Sequence, residues 1–235
     1  MNITELEQLN ESYMDKSPQE VIKCGIQNIG KDKLVLASSL SIEDQVITHM
    51  LLEIEPNARI FFIDTGRHYQ ETYNVMNSSM ERYRFKYEVY SPSNEKLEDM
   101  ICKHGPNLFY ESIALRKKCC TIRKVEPLQR VLSTSNGWIC GLRRGQSQDR
   151  ERIELFEWDA QNKIFKINPL AHWSEEQTWD YMRRENLPYN SLHLKGYPSI
   201  GCQPCTRAVE EGEDIRSGRW WWENSEHKEC GLHRS

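Results

Sequence analysis

Nowhere in the 235 residues does an apolar stretch approach the roughly 18 needed to cross a bilayer, which argues against a helical membrane span. The opening residues 1–10 are acidic and interrupted, unlike the basic and then apolar lead of a secretory signal, so a soluble, cytoplasmic protein is expected. An excess of basic charge is also missing. Lys and Arg total 31 against 35 Asp and Glu, a formal net charge of -4, which argues against a general binder of nucleic acid. Internal repeats and low-complexity tracts are lacking too. What remains is a globular composition, 38% hydrophobic and 10% aromatic, and a length that suits one α/β domain over residues 1–235. Eight cysteines in a chain expected to stay in a reducing compartment read as ligands or catalysts rather than as a disulfide scaffold.

Apolar periodicity alternates along the chain. Residues 1–31 read as a helical N-terminal segment, and a core then runs over residues 33–207. Short Val/Leu/Ile-rich strands are expected at 33–37, 59–63, 87–90 and 138–141, with helical spacing at 43–54, 68–83, 94–103 and 112–132. Strands alternating with helices predict right-handed crossovers and a parallel sheet flanked by helices. Ligands bind beyond the carboxyl ends of such strands, which singles out the loops at 38–44, 64–67 and 141–150. Residues 152–158 and 163–167 look like a β-hairpin added to the core, and Ser174 with Gln177 forms a capping box that starts a further helix. Beyond Tyr197, loops, a short basic helix and a tail over 208–235 are expected.

The loop Ser38-Ser39-Leu40-Ser41-Ile42-Glu43-Asp44 offers hydroxyls and backbone N–H groups at a helix start, suited to a phosphate or sulfate. It contains no glycine to let the backbone close on an anion, and Ser41 can serve as a plain helix cap. Asp64-Thr65-Gly66 can hold a ribose or adenine edge, or simply make a tight turn. More telling is Cys119-Cys120 within the basic run from Arg116 to Lys124. Adjacent helical cysteines point about 100° apart, which discourages a mutual disulfide yet lets both ligate one polynuclear cluster. Lys117, Lys118, Arg123 and Lys124 favour thiolates and attract an anion. Cys202 and Cys205 supply a C-x-x-C pair, so four soft ligands are available for zinc or an iron-sulfur cluster, the adjacent pair favouring the latter. Cys230 lies six residues from the end counting itself, poorly placed for a core, with Lys228 and His233 able to stabilise its thiolate. Cys24, Cys102 and Cys140 have no partners at ligand spacing and read as buried small residues, Cys140 in a strand; His49 and His68 read as packing or surface residues, and His172 and His193 stay unassigned.

Together these segments, with the Arg216-to-Trp222 stretch and the terminal Lys-Glu-Cys-Gly-Leu-His, resemble the assimilatory adenylyl-sulfate reductases that carry a [4Fe-4S] cluster. The resemblance implies an adenine-nucleotide α-hydrolase-like fold. It implies that Cys230 attacks the sulfur of adenylyl sulfate with Lys124 and His233 assisting, and that thioredoxin or a similar dithiol protein then releases sulfite. Cys119, Cys120, Cys202 and Cys205 would hold the cluster. Ser38, Ser39, Thr65, Gly66, Arg143, Arg144, Gln146, Arg216 and Arg219 would surround the nucleotide and its sulfate. The family commonly has glycine or a small pair where this chain has Ser41-Ile42, so reduction of the 3'-phosphorylated nucleotide stands as the alternative substrate. A zinc-stabilised binding module without turnover is the alternative of another class. Nucleic acid and membrane are not expected as partners, and a homo-oligomer is left open.

Overall fold

The computed structural model describes residues 3–147 and 150–223. The N-terminal segment divides into helices α1 (Ile3–Tyr13) and α2 (Pro18–Ile29). Ser17 starts α2 with a capping box closed by Glu20, and Pro18 occupies the first turn, where its missing N–H costs nothing. The strands are β1 (Leu34–Ala37), β2 (Arg59–Ile63), β3 (Glu88–Tyr90), β4 (Gly137–Ile139), β5 (Phe156–Asp159) and β6 (Ile164–Ile167). They are interleaved with α3 (Ile42–Ile54), α4 (Gln70–Tyr83), α5 (Asn94–His104), α6 (Ile113–Cys120), α7 (Glu126–Leu132) and α8 (Glu175–Arg184).

The six strands form one sheet in the order β3-β2-β1-β4-β6-β5, parallel except for β5. The predicted hairpin therefore extends the sheet. β6 pairs with β4 and only its partner β5 runs antiparallel, as the outer strand. The order turns outward in opposite directions from β1 and β4, and that switch point is where a parallel sheet opens a crevice at its carboxyl edge. Buried Val, Leu, Ile and Phe from the strands make a continuous core with the inward faces of α2, α3 and α7. A second, smaller cluster gathers Met100, Phe109, Ile122 and Trp220 around Cys119, Cys202 and Cys205.

Two expectations need correction. The helix read as continuous over 112–132 is broken into α6 and α7 by a π turn, Thr121–Val125. Pro127 supplies a reason, since it has no N–H to bond the carbonyl four residues back; Glu126 instead donates five residues back to Thr121. The short basic helix expected beyond Tyr197 is not formed among the described residues. Instead 207–223 runs as turns, with Gly212 at φ +90°, Trp220 at φ +44° and a bridge pairing Thr206 with Arg219.

Candidate active site

At the β1/β4 switch point lies a cavity of about 240 Å³. One wall is the loop from Ser38 to Asp44. Ser38 continues the ladder by donating its N–H to Phe61 O, and its hydroxyl accepts from Leu40 N–H. Leu40 adopts φ +65°, the conformation a glycine usually supplies. A side chain there costs on the order of 1 kcal/mol. Burial of the Leu40 side chain offsets it. Ser41 then caps α3 through Asp44 N–H, so the plain capping role and the place in the cavity wall coexist.

The opposite wall follows β4. Gly141 is required there, because a Cβ would sit 2.9 Å from Glu43 Cβ and closer still to the Asp44 carboxylate. Arg143, also buried, pairs with Glu43 at 2.8 Å, and Gln146 folds back to accept the Arg143 N–H. Asp44 accepts from both the N–H and the hydroxyl of Ser39. Burial pushes its carboxyl up to about 6, against the opposing pull of those hydrogen bonds. A raised folded-state value means the folded protein holds this proton more tightly than the unfolded chain. The resulting stability is complete below the ordinary carboxylate range and is lost as pH rises through about 6. Asp44→Asn is therefore expected to exceed the native protein in stability by up to about 3 kcal/mol near neutral pH and to match it near pH 4. Urea unfolding at the two pH values measures the difference; an equal gain at both would contradict the assignment.

Beside this cavity Cys119, Cys120, Cys202 and Cys205 line one pocket, so the fold unites pairs that are 82 residues apart or more in sequence, as from Cys120 to Cys202. The first pair ends α6, and in the second Cys202 caps the short 3-10 turn Gln203–Cys205 that Cys205 closes. Thr65 touches the Cys202 sulfur at 3.3 Å. Burial pushes Cys205 up to about 12 and raises Cys119, the latter opposed by Arg123, so the bare thiols stay protonated and a metal would displace those protons. Among the described residues, no three His, Cys, Asp or Glu are grouped to hold a single ion. The four thiols lining this pocket are soft donors of the kind that would suit zinc or an iron-sulfur cluster. Arg123 and Arg219, both on this pocket, each keep a buried Nε without a partner.

Lys124, Arg219 and Trp220 line both spaces and form the partition between them. The π turn carries Lys124 to that position. Gly201 makes room for Arg219, since a Cβ there would come within 2.6 Å of the guanidinium carbon. Arg216 lines the larger cavity from the same side.

Not every expected residue gathers here. Arg144 leaves the cavity wall, bonding Ile153 O and Glu154 instead. Thr65 and Gly66 belong to the cysteine side: Thr65 supports Cys202, and Gly66, at φ +68°, sits 3.5 Å from Arg123 where a Cβ would be. Cys230 and His233 lie outside the described residues. His68, read from sequence as a packing or surface residue, lines the cavity and presents Nε2 to Ile63 O at 3.0 Å. Because a carbonyl only accepts, Nε2 carries the hydrogen. Burial first, and Lys124 second, push His68 down to about 4, so it is neutral at physiological pH. Arg123, expected from its place in the basic run to favour thiolates, does line the cysteine pocket together with Arg116, whereas His193, left unassigned by the sequence, lines the cavity.

The model of the phosphoadenosine phosphosulfate reductase domain matches residues 33–208. An adenosine 5'-phosphosulfate reductase of Allochromatium vinosum is 47% identical over 203 residues, covering 86% of this chain and 79% of that protein. One from Burkholderia cepacia is 47% identical over 202 residues, covering 86% and 81%. The crystal structure of a phosphoadenylyl-sulfate reductase from Candida auris, in its phosphate complex, superposes with a TM-score of 0.76 at 27% identity, over 89% of this chain and 98% of that one. The matched domain contains the entire sheet and both cysteine pairs, and the chain belongs to the phosphoadenosine phosphosulfate reductase family.

Proposed function

We propose that this protein reduces adenylyl sulfate to sulfite and AMP, with Cys230 as nucleophile and Cys119, Cys120, Cys202 and Cys205 holding a [4Fe-4S] cluster. The observation that carries the reading is the shared wall: Lys124 and Arg219 face the cavity at the switch point on one side and a four-thiol pocket on the other. The names of relatives at 47% identity favour adenylyl sulfate over its 3'-phosphorylated form.

In the reaction the Cys230 thiolate attacks the sulfate sulfur. A sulfur–sulfur bond forms, the sulfur–oxygen bond to phosphate breaks, and AMP departs with the bonding pair. The S-sulfocysteine is then attacked at its Cys230 sulfur by a thiolate of thioredoxin or a similar dithiol protein. Sulfite leaves, and the second thiol of that partner resolves the mixed disulfide, so the dithiol supplies both electrons. An anion meeting an anion is repelled, and Lys124, Arg216 and Arg219 lower that repulsion from fixed positions that need no reorganisation. Cys119, Cys120, Cys202 and Cys205 would hold the cluster, which when bound would add a negative field beside those cations. Neutral His68 can hold a hydrogen bond on the floor of the cavity without adding charge. The enzyme is read as acting in sulfate assimilation in the cytoplasm; no helix among the described residues is long and apolar enough to cross a membrane.

The test is direct. Protein isolated without air is expected to contain iron and acid-labile sulfide, and on incubation with adenylyl sulfate alone to gain one sulfonate, mapped by peptide mass to Cys230. Zinc in place of iron removes the cluster, and a sulfonate elsewhere, or none, removes the nucleophile.

A further inference from the structure

Glu223 is the last described residue and stands seven positions before Cys230, within at most about 25 Å of extended chain. Its carboxylate is buried and accepts a two-point hydrogen bond from Arg116, Nε at 2.9 Å and Nη2 at 2.8 Å. Arg116 lies on α6, one turn before the paired cysteines, and lines the same pocket as they do. The same guanidinium covers the face of Trp220 at 4.5 Å, and Arg219 covers that ring at 4.9 Å. Trp220 donates its backbone N–H to Cys205 O and accepts the Glu223 N–H, while held at φ +44°. One ion pair thus ties together the helix that carries Cys119 and Cys120, Cys205 by way of Trp220, and the chain segment that leads to Cys230.

Stability alone is a poor explanation for such a pair. Taking both charges out of water costs several kcal/mol per ion, and apolar replacements of similar volume are often neutral or better. A bulky residue held in the left-handed region adds local strain, which persists only where its surroundings over-determine it. What the arrangement does provide is a fixed direction. Bidentate Arg–carboxylate bonding sets both distance and angle, as a single contact would not.

We infer that the Arg116–Glu223 pair is a positioning device: it fixes the root of the segment bearing Cys230 to the cysteine-bearing helix, so that the nucleophile is delivered to the cavity on the far side of Trp220. This rests on Cys230 being the nucleophile. Neither Arg116 nor Glu223 lines the larger cavity, so nucleotide binding is separable from delivery.

The experiment uses the intact enzyme with Glu223→Gln, which keeps the shape and removes the charge, and Glu223→Asp, which keeps the charge at a shorter reach. Three quantities are compared with the native protein: AMP affinity, the single-turnover rate at which adenylyl sulfate sulfonates Cys230, and the alkylation rate of Cys230 by iodoacetamide without nucleotide. Expected are an unchanged AMP affinity, a sulfonation rate lowered about 10- to 100-fold in Glu223→Gln with partial recovery in Glu223→Asp, and a changed alkylation rate. Sulfonation at the native rate overturns the inference, as does an AMP affinity that falls in step with sulfonation, which marks a general loss of structure. Should Glu223→Gln not fold, Glu223→Asp alone decides: a native sulfonation rate overturns the inference and a lowered rate with intact AMP binding supports it. If the native enzyme itself gains no sulfonate at Cys230, the proposed function has failed first, and this device falls with it.

Discussion

Cys230→Ser is expected to lower sulfite release by on the order of 10⁴-fold or more while AMP binding stays within about twofold of the native protein. The size follows from the role proposed for the thiol. A serine hydroxyl in the same place has a much higher pKa than a thiol, is scarcely ionised near neutral pH, and cannot accept electrons from an incoming dithiol to regenerate itself. Both half-reactions are lost together, so the residual rate is that of adenylyl sulfate with free reductant. Binding is expected to be spared because the cavity proposed for the nucleotide is lined by other elements: the Ser38-to-Asp44 loop after β1, Arg143 and Gln146 after β4, and Arg216 and Arg219. Steady-state sulfite release and AMP titration, run side by side, separate the two effects. Retained turnover would remove Cys230 from the chemistry. A joint loss of turnover and AMP binding would instead make the tail part of the nucleotide site.

The centre of the sheet was readable because β1 and β2 are buried on both faces and so write continuous apolar runs, as at Leu34-Val35-Leu36 and Ile60-Phe61-Phe62, separated by helical spacing. The place of the hairpin was harder. Nothing in residues 156–167 reveals that β6 will sit beside β4, because strand order depends on which crossover the chain takes. The π turn was hidden for a different reason. Thr121 to Val125 keeps a helical pattern of side chains, and the cause of the extra residue per turn is Pro127, two residues past its end.

The candidate site divides in the same way. Paired cysteines announce themselves by spacing, and the fold brings all four to one pocket. Arg116, Arg123, His68 and Glu223 act through partners 58 or more positions away in most cases, as in Arg123 to Thr65 O and Arg116 to Glu223, and such pairings are written only in three dimensions. Arg144 shows the converse: next to Arg143 in the chain, it points to the opposite side and bonds Glu154. Arg143 is extended while Arg144 opens the 3-10 turn Arg144–Gln146, so the change of backbone conformation between them leaves only one member of the two-arginine motif in the crevice.

Lys124→Ala tests the partition between the two spaces. Removing a fixed cation from a site where one anion must approach another is expected to reduce kcat/KM for adenylyl sulfate by about 10²- to 10³-fold. Stability should change little, since Lys124 is only half-buried, alanine is a better helix former, and partly exposed lysine contacts contribute about 1 kcal/mol or less. A second readout ties the effect to position rather than to folding. After burial, Lys124 is the next influence holding His68 down near 4, so its removal should let the His68 titration move upward without restoring an ordinary histidine value, measurable by NMR of the imidazole. Iron content should stay at the native level, because Lys124 is not among the four thiols. Unchanged kcat/KM would refute the electrostatic role. Lost iron together with unfolding would make the lysine a structural support of the cysteine pocket, and an unmoved His68 would place its charge elsewhere than at the wall common to both cavities.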